Sequence, residues 1–528
     1  MDRSKINTLY HTIKYLKPIQ IYYRLFYFVR NRFFKKSYEK ELNIEKDEIL
    51  YWKDTLLNNN SFIEKTKFNF LNIEKDFNQE IDWDFEEFGM LWAFNINYFD
   101  FLNQQVIDVK DGIRLIKDYI AKDTLLKVGK ASYPISLRGI NWVKFLIKNK
   151  ISDKEIDQYL YNDYQILFYN PEYQFLGNHL LENGFSLLFG AFYFKDDLLY
   201  KQAVKILKSE LKEQVLADGG HFELSPMYHQ IMLFRVLDCI QLLKLNFWKE
   251  DDLLVFLENT ASIMLAWLKE VTFENGDIPM VNDSSHGIAP KTSALLDYGR
   301  HLELKNQQVI LSDSGYRKLK GKDFELFLDV GNVGASYQPA HAHSDTFNFV
   351  LHNKYQPIIV DRGTSTYEKN DLRQKERCTA SHNTVKIGKQ EQTEVWGGFR
   401  VARRAKIIKR IEDSNSVLAI HDGYSNLGIF HSRKFVANSD EVIIRDIISE
   451  DKEIKGVAYF HFHPDIQKIE IKENRVNLSN QNIEMVFEGA SIKIQKDNYQ
   501  YAIGYNNTTE AHKICVSFNS KLETSIHL

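Results

Sequence analysis

The chain has 528 residues, 44% hydrophobic and 26% charged, which is more than one ordinary core can use and implies two large domains. A net charge of −3 gives no electrostatic basis for nucleic-acid binding. Three scattered cysteines, Cys239, Cys378 and Cys515, exclude a disulfide framework and a paired-Cys zinc motif.

The first 80 residues are expected to form an N-terminal helical extension. Lys14, Lys17 and Arg24 interrupt its apolar runs, so it does not read as a secretory signal. No stretch reaches the length of a membrane span. Residues 19–30 read as an amphipathic surface helix with basic edges or as a docked helix, and docking is the expectation.

Apolar residues then recur at three- and four-residue spacing over 112–121, 187–194, 203–216, 230–245 and 253–271, which predicts helices. Breakers separate them at Asn170-Pro171, Asp218-Gly219-Gly220 and Asn275-Gly276-Asp277. Many paired helices suggest a helical barrel or array over 81–310. The period changes near 305–314. Short β-branched and aromatic runs, among them 324–330, 416–421, 492–495 and 514–518, predict an antiparallel β-sandwich over 311–528, in one or more layers. The abundant Tyr and Phe fit a large core, and some Tyr and Trp could line a sugar cleft between the domains.

Three polar clusters interrupt the helical half. Arg138 opens an apolar helix, as a structural ion pair or as a guanidinium clamp on a substrate carboxylate. In 177–184, Asn178 and Glu182 share one helical face and His179 and Asn183 the next, a buried network or a site. In 218–229, Ser225 is a natural N-cap with Pro226 at the first helical position. Tyr228 then falls in the first turn, where the helix field slightly favours a phenolate and suits a proton-exchanging tyrosine; a core tyrosine is the alternative. His229 is expected to be a packed surface histidine.

In the β half, His341 and His343 would point to one side of an extended segment. Asp361 and His382 follow at strand ends. Two imidazoles and a carboxylate are a usual zinc ligand set, and a hydrogen-bonded histidine cluster is the alternative.

Six strings, GNHLLENG (177–184), GGHFELSPMYH (219–229), HAHSD (341–345), VDRGT (360–364), RCTASHNTV (377–385) and WGGFRVARRA (396–405), together resemble the heparinase II/III-like superfamily of polysaccharide lyases. Order and spacing agree over roughly residues 90 to 420. The resemblance implies an (α/α) toroid followed by an antiparallel β-sandwich, and β-elimination at a uronic acid in an acidic polysaccharide. It implies that Asn178 and His179 neutralise the uronate carboxylate, that Tyr228 and His341 act as acid and base, and that Glu182, Arg138 and Arg400 contact substrate. It assigns His343, Asp361 and His382 to a structural Zn2+. The missing signal favours a cytoplasmic protein, with the periplasm or envelope as alternatives, and a role on the producing bacterium's surface polysaccharide. A glycoside hydrolase using Glu182 and Glu223, or a non-catalytic glycan-binding protein, are the competing readings.

Overall fold

A computed structural model describes residues 3–34, 37–42, 50–250, 252–449 and 453–528. Parts of the expected N-terminal extension, at 1–2, 35–36 and 43–49, lie outside the described residues. The rest of the extension departs from the expected all-helical form. It opens with α1 (Arg3–Ile13) and α2 (Pro18–Phe33), and then an antiparallel meander follows: β1 (Phe62–Glu64), β2 (Lys67–Phe70) and β3 (Ile73–Asp76). The meander turns Phe62, Phe68 and Phe70 into the helical core.

Among the described residues nine α-helices come next: α3 (Met90–Tyr98), α4 (Val109–Ala121), α5 (Ser132–Lys148), α6 (Lys154–Tyr169), α7 (Gly177–Phe194), α8 (Asp197–Gln214), α9 (Pro226–Leu245), α10 (Leu253–Val271) and α11 (Thr292–His301). The odd-numbered helices pack on one another in sequence order, and the even-numbered ones form a second row against them. In the first row, α5, α7 and α9 are buried along most of their length. In the second, α4 buries only Gly112, Leu115, Ile116 and Tyr119, one face at three- and four-residue spacing. Asp108, Asp153 and Asp196 cap α4, α6 and α8 by accepting backbone N–H bonds.

The β half contains two main sheets. The first has four antiparallel strands in the order β4 (Tyr316–Lys320), β5 (Phe324–Asp329), β6 (Phe349–Asn353) and β7 (Gln356–Ile359). Both of its faces are covered. Phe324, Leu326, Leu328, Phe349 and Leu351 face the second sheet, while Tyr316, Phe327 and Val350 join the helical core. Alternation along each strand therefore ties two layers to one plate.

A ten-stranded sheet follows the short helix α12 (Asp371–Glu376), with β8 (Val385–Ile387) as its first strand and the β9–β10 ribbon (Val395–Trp396, Arg400–Val401) beside it. Its other strands are β11 (Ile407–Asp413), β12 (Ser416–His421), β13 (His431–Ala437), β14 (Glu441–Ile447), β15 (Lys455–His461), β16 (Ile469–Lys472), β17 (Arg475–Leu478), β18 (Ile483–Gly504) and β19 (Asn507–His527). The segments 492–495 and 514–518, expected as short strands, lie inside the 22-residue β18 and the 21-residue β19. One edge of β19 pairs with β18 throughout; the other pairs first with β15 and then with β14.

Candidate active site

The loop between α10 and α11 brings a residue that the sequence reading missed, Asp283. Fully buried, it receives four side chains, of which the Thr364 hydroxyl donates at 3.3 Å. Arg373 of α12 donates through both terminal nitrogens, at 2.5 and 2.6 Å. His341 lies 2.9 Å from one oxygen through Nδ1, and His343 lies 2.9 Å from the other through Nε2. Burial would raise the Asp283 carboxyl, but Arg373 and the two imidazole bonds outweigh it and hold it well below the usual carboxylate range. An ionised carboxylate only accepts, so both histidines donate to it, and in a neutral ring the other nitrogen carries the lone pair. The His341-Ala342-His343 segment is irregular rather than the expected extended strand, and both rings reach one carboxylate, Asp283.

His341 stacks on Tyr228, with ring centroids 4.0 Å apart and planes 32° apart. Ser225 does cap α9, accepting from the Tyr228 N–H at 3.2 Å, with Pro226 in the first turn. The Tyr228 hydroxyl lies 3.2 Å from that of Tyr367, whose ring is 5.1 Å from Tyr505. Burial and then the neighbouring Tyr505 push the Tyr228 phenol well above its ordinary value. This corrects the phenolate expectation: desolvation exceeds the helix field, and the tyrosine rests protonated. His229 is also corrected. It is fully buried, between the Met264 carbonyl and the His221 N–H.

On the facing helix, the N-terminus of α7 lies against Glu223. The Asn178 N–H donates to Glu223 Oε1 at 3.4 Å, and the other oxygen is 3.8 Å from His341 Nε2. Gly177 allows this approach: its φ is +59°, and a Cβ would stand 3.1 Å from Glu223 Oε1. Burial pushes the Glu223 carboxyl up. His179 and Asn183, one turn apart, share Glu172, at 3.3 Å each. Burial disfavours the charged His179 ring, but Glu172 outweighs it and raises the pKa, favouring the imidazolium. Its ring lies 4.5 Å from Tyr133.

A cleft of about 430 Å³ opens beside Tyr228; Asn178, His179 and His341 stand behind its wall rather than on it. Tyr133, Glu182, Tyr228, Arg235, Tyr367 and Tyr505 are on its wall, together with the β1–β3 meander and the Asn58–Ser61 loop. The Glu182 carboxylate is buried and 3.4 Å from Arg235 Nε; burial raises its pKa. Glu223 is not on this wall, so the carboxylate pair nominated for hydrolysis does not face itself across the cleft.

Two expected substrate residues lie elsewhere. Arg138 is fully buried, donates to Asp163 at 2.6 and 3.0 Å and to the Gly129 carbonyl, and lies over Tyr119. Its fork is saturated, so it is a structural ion pair rather than a substrate clamp. Arg400 is exposed and lies 4.6 Å over Trp396, off the cleft wall. Its neighbour Phe399 is the residue that reaches in, with its ring 5.1 Å from Tyr367 and 6.4 Å from His341.

The expected metal ligands cluster only in part. Asp361 accepts from His382 Nδ1 at 2.7 Å and from Asn348 at 2.6 Å. The His343 and His382 rings are 5.3 Å apart. His343 Nδ1 and His382 Nε2 are both buried without a hydrogen-bond partner, as is Asp345 Oδ2. Burial pushes the His343 pKa down to about 3, which keeps it neutral. Those unpartnered nitrogens fit a zinc donor set. Among the described residues, however, no group of three or more His, Cys, Asp or Glu is arranged to hold a metal ion.

Asp283, Glu172, Arg373, Tyr367 and Tyr505 were not anticipated. Only Asp283 had a usable signal, the polar run Asn282-Asp283-Ser284-Ser285 straight after apolar Ile278–Val281.

Two family models match: heparinase II/III N-terminus over residues 92–301 and heparinase II/III-like, C-terminal, over 305–528. A heparin-sulfate lyase of Bacteroides stercoris is 24% identical over 442 residues, 72% of this chain and 63% of that protein. One of Bacteroides thetaiotaomicron is 24% identical over 286 residues, 45% of this chain and 40% of its own. The chain thus spans less than two thirds of the length of these curated relatives. Among solved structures, heparinase III superposes with a TM-score of 0.66 at 16% identity, covering 98% of this chain and 93% of that one. A Streptomyces coelicolor chondroitin AC lyase in complex with chondroitin sulphate gives 0.52 at 8% identity, covering 83% and 74%. These likenesses identify the fold as a helical toroid followed by antiparallel β-sheets.

Proposed function

The chain belongs to the heparinase II/III-like family, and from that premise we propose that it is a polysaccharide lyase that cleaves a uronic-acid-containing polysaccharide by β-elimination. The observation that carries this reading is the stack of protonated Tyr228 on His341, with ionised Asp283 behind the imidazole and Tyr228 on the cleft wall.

The reaction requires loss of the C5 proton and departure of the O4 oxygen, leaving a C4–C5 double bond. The C5 proton becomes acidic only when the adjacent carboxylate is neutralised. The His179 imidazolium and the Asn178 amide supply that neutralisation at the α7 N-terminus. Asp283 keeps the proton of His341 on Nδ1, so Nε2 takes the C5 proton. Tyr228 holds a phenolic proton and gives it to O4 as the bond breaks. The two protons are then exchanged with solvent to reset the site. Glu182 and Arg235 contact sugar hydroxyls or carboxylates along the wall.

A zinc ion is proposed to be held by His343, Asp361 and His382, on the strength of the two unpartnered ring nitrogens. It would fix the loop that carries His341, and the reaction is written without it. The proposed natural substrate is the surface polysaccharide of the producing cell.

The test is ultraviolet absorbance from the new C4–C5 double bond, on polymers of glucuronate, iduronate, mannuronate and guluronate. Wild type should give it on at least one, and Tyr228→Phe should not. Cleavage without unsaturated product would show that elimination is wrong. The mass of the product released from the cell's own exopolysaccharide identifies the sugar.

A further inference from the structure

Both N-terminal helices are amphipathic in the wrong direction for a protein core. On α2 the docked side is polar. Gln20, fully buried, donates to the Phe175 carbonyl and to Gln338, and the Tyr27 hydroxyl donates to the Pro171 carbonyl. Arg30 donates to the Tyr169 carbonyl, and Tyr23 stacks on Tyr173 at 4.6 Å. The outward side is apolar: Tyr22 is 61% exposed, Leu25 62%, Phe28 68% and Phe33 69%, with Ile21 and Val29 between them. α1 repeats the pattern. Thr8 donates to Glu394 and Thr12 accepts from Trp396, while Ile6, Leu9, Tyr10 and Ile13, at helical spacing, face outward.

Such a face would be expelled from water if a partner were present, since isolated exposed apolar residues are ordinary but a contiguous helical stripe is not. Charge identifies the partner. Residues 1–40 hold ten Lys and Arg against two Asp and Glu, whereas the remaining 488 hold 58 against 69. Among the basic residues, Lys5 and Arg32 are exposed on these helices and Lys14 is exposed just after α1, while Arg24 also donates to the Gln174 carbonyl at 3.4 Å. A polyanionic sugar would satisfy the cations but not Leu25, Phe28 and Phe33. A second copy of an acidic chain would not explain a basic rim around an apolar stripe in the same way. An interface of anionic headgroups over acyl chains satisfies both. Among the described residues no helix is long and apolar enough to cross a membrane, and α2, with 16 residues, suits lying in the interface plane.

We propose that the outward faces of α1 and α2 form a docking surface for an anionic lipid bilayer. Gln20 then sets where the cleft stands. It bridges the loop before α7, which carries His179, and the loop before His341, so the docked helix is anchored to two walls of the site. The docking proposal stands without the lyase reading, because it uses no residue of the cleft.

The test is flotation of the full chain with vesicles of phosphatidylcholine alone and of phosphatidylcholine with phosphatidylglycerol, at low and high salt. Wild type should float with the anionic vesicles, and less in high salt. Leu25→Glu/Phe28→Glu should lower binding by at least about tenfold, given the burial free energy of two large apolar side chains. Lys5→Glu/Arg32→Glu should abolish the preference for anionic lipid. Both double variants should keep the wild-type melting temperature, since their side chains point outward. Failure of wild type to float, or equal flotation on neutral vesicles, would overturn the proposal. So would a dimer that Leu25→Glu/Phe28→Glu dissociates without any vesicle binding, which would assign the face to a second copy. Retention by immobilised acidic polysaccharide without flotation would assign it to glycan.

Discussion

Two buried clusters in this molecule use nearly the same side chains. Asp283 receives Arg373, His341 and His343. Asp446, on β14, receives Arg433 at 2.7 and 2.9 Å and His431 at 2.7 Å, and His431 in turn bonds His421 at 3.1 Å. In the second cluster the remaining valences are used too. Gly423 donates to the His421 ring, and Arg433 also donates to the carbonyls of Phe347 and Asn383. In the first, His341 Nε2 comes no closer than 3.8 Å to a carboxylate, and His343 Nδ1 has no partner. The first therefore has atoms left over for chemistry and the second does not. Composition cannot separate a site from a strut; the inventory of unused donors and acceptors can.

The largest expected effect tests the strut. Asp446→Ala leaves Arg433 and His431 buried without their counter-charge and should cost about 3–5 kcal/mol of stability by chemical denaturation. An unchanged midpoint would break the comparison. Next, Tyr228→Phe should cut turnover by about 10²–10⁴ with the denaturation midpoint nearly unmoved. Asp283→Asn lies between the two classes. It should lower turnover by roughly 10² through the His341 tautomer and also destabilise, since Arg373 loses its partner. If it destabilised without any loss in the folded enzyme's turnover, Asp283 would belong with Asp446. Metal content sharpens the division inside the first cluster: His343→Ala should lose zinc by mass spectrometry, and His341→Ala should keep it.

The smallest effect concerns a histidine in neither cluster. His352 stacks on Phe273 at 3.7 Å, and burial pushes its pKa down to about 3. The unfolded chain binds that proton near pH 6.5 and the folded chain does not. Its contribution is therefore complete above about pH 6.5 and is lost as pH falls toward 3. His352→Leu should flatten part of the acid slope of stability measured by urea titration, while changing little in the slope above neutral pH.

Much of the architecture was legible. Residues 253–271, predicted as a helix, coincide with α10, and 416–421 with β12. The misses have physical causes. β13 turns His431, Arg433, Phe435 and Ala437 inward, so its buried face does not read as apolar. β1 to β3 run for only three or four residues each, too short for a period to register. In the site, the motif strings placed Asn178, His179, Tyr228 and His341 around one region, with Glu223 between α7 and His341. Arg138 was misread because its partner Asp163 lies on the next helix, and no local spacing announces such a pair. Asp283 and Tyr367 act from loops, through contacts 58 and 139 residues away in sequence.

The four-stranded sheet has one further consequence. Because β5 and β6 give alternate side chains to the helical core and to the ten-stranded sheet, neither half of the chain owns them. A cut near residue 310 would strip the toroid of its floor and the sandwich of its lid. The halves are thus separable as sequence families but not as folding units, and neither half could be expected to move to a new host protein without the shared plate.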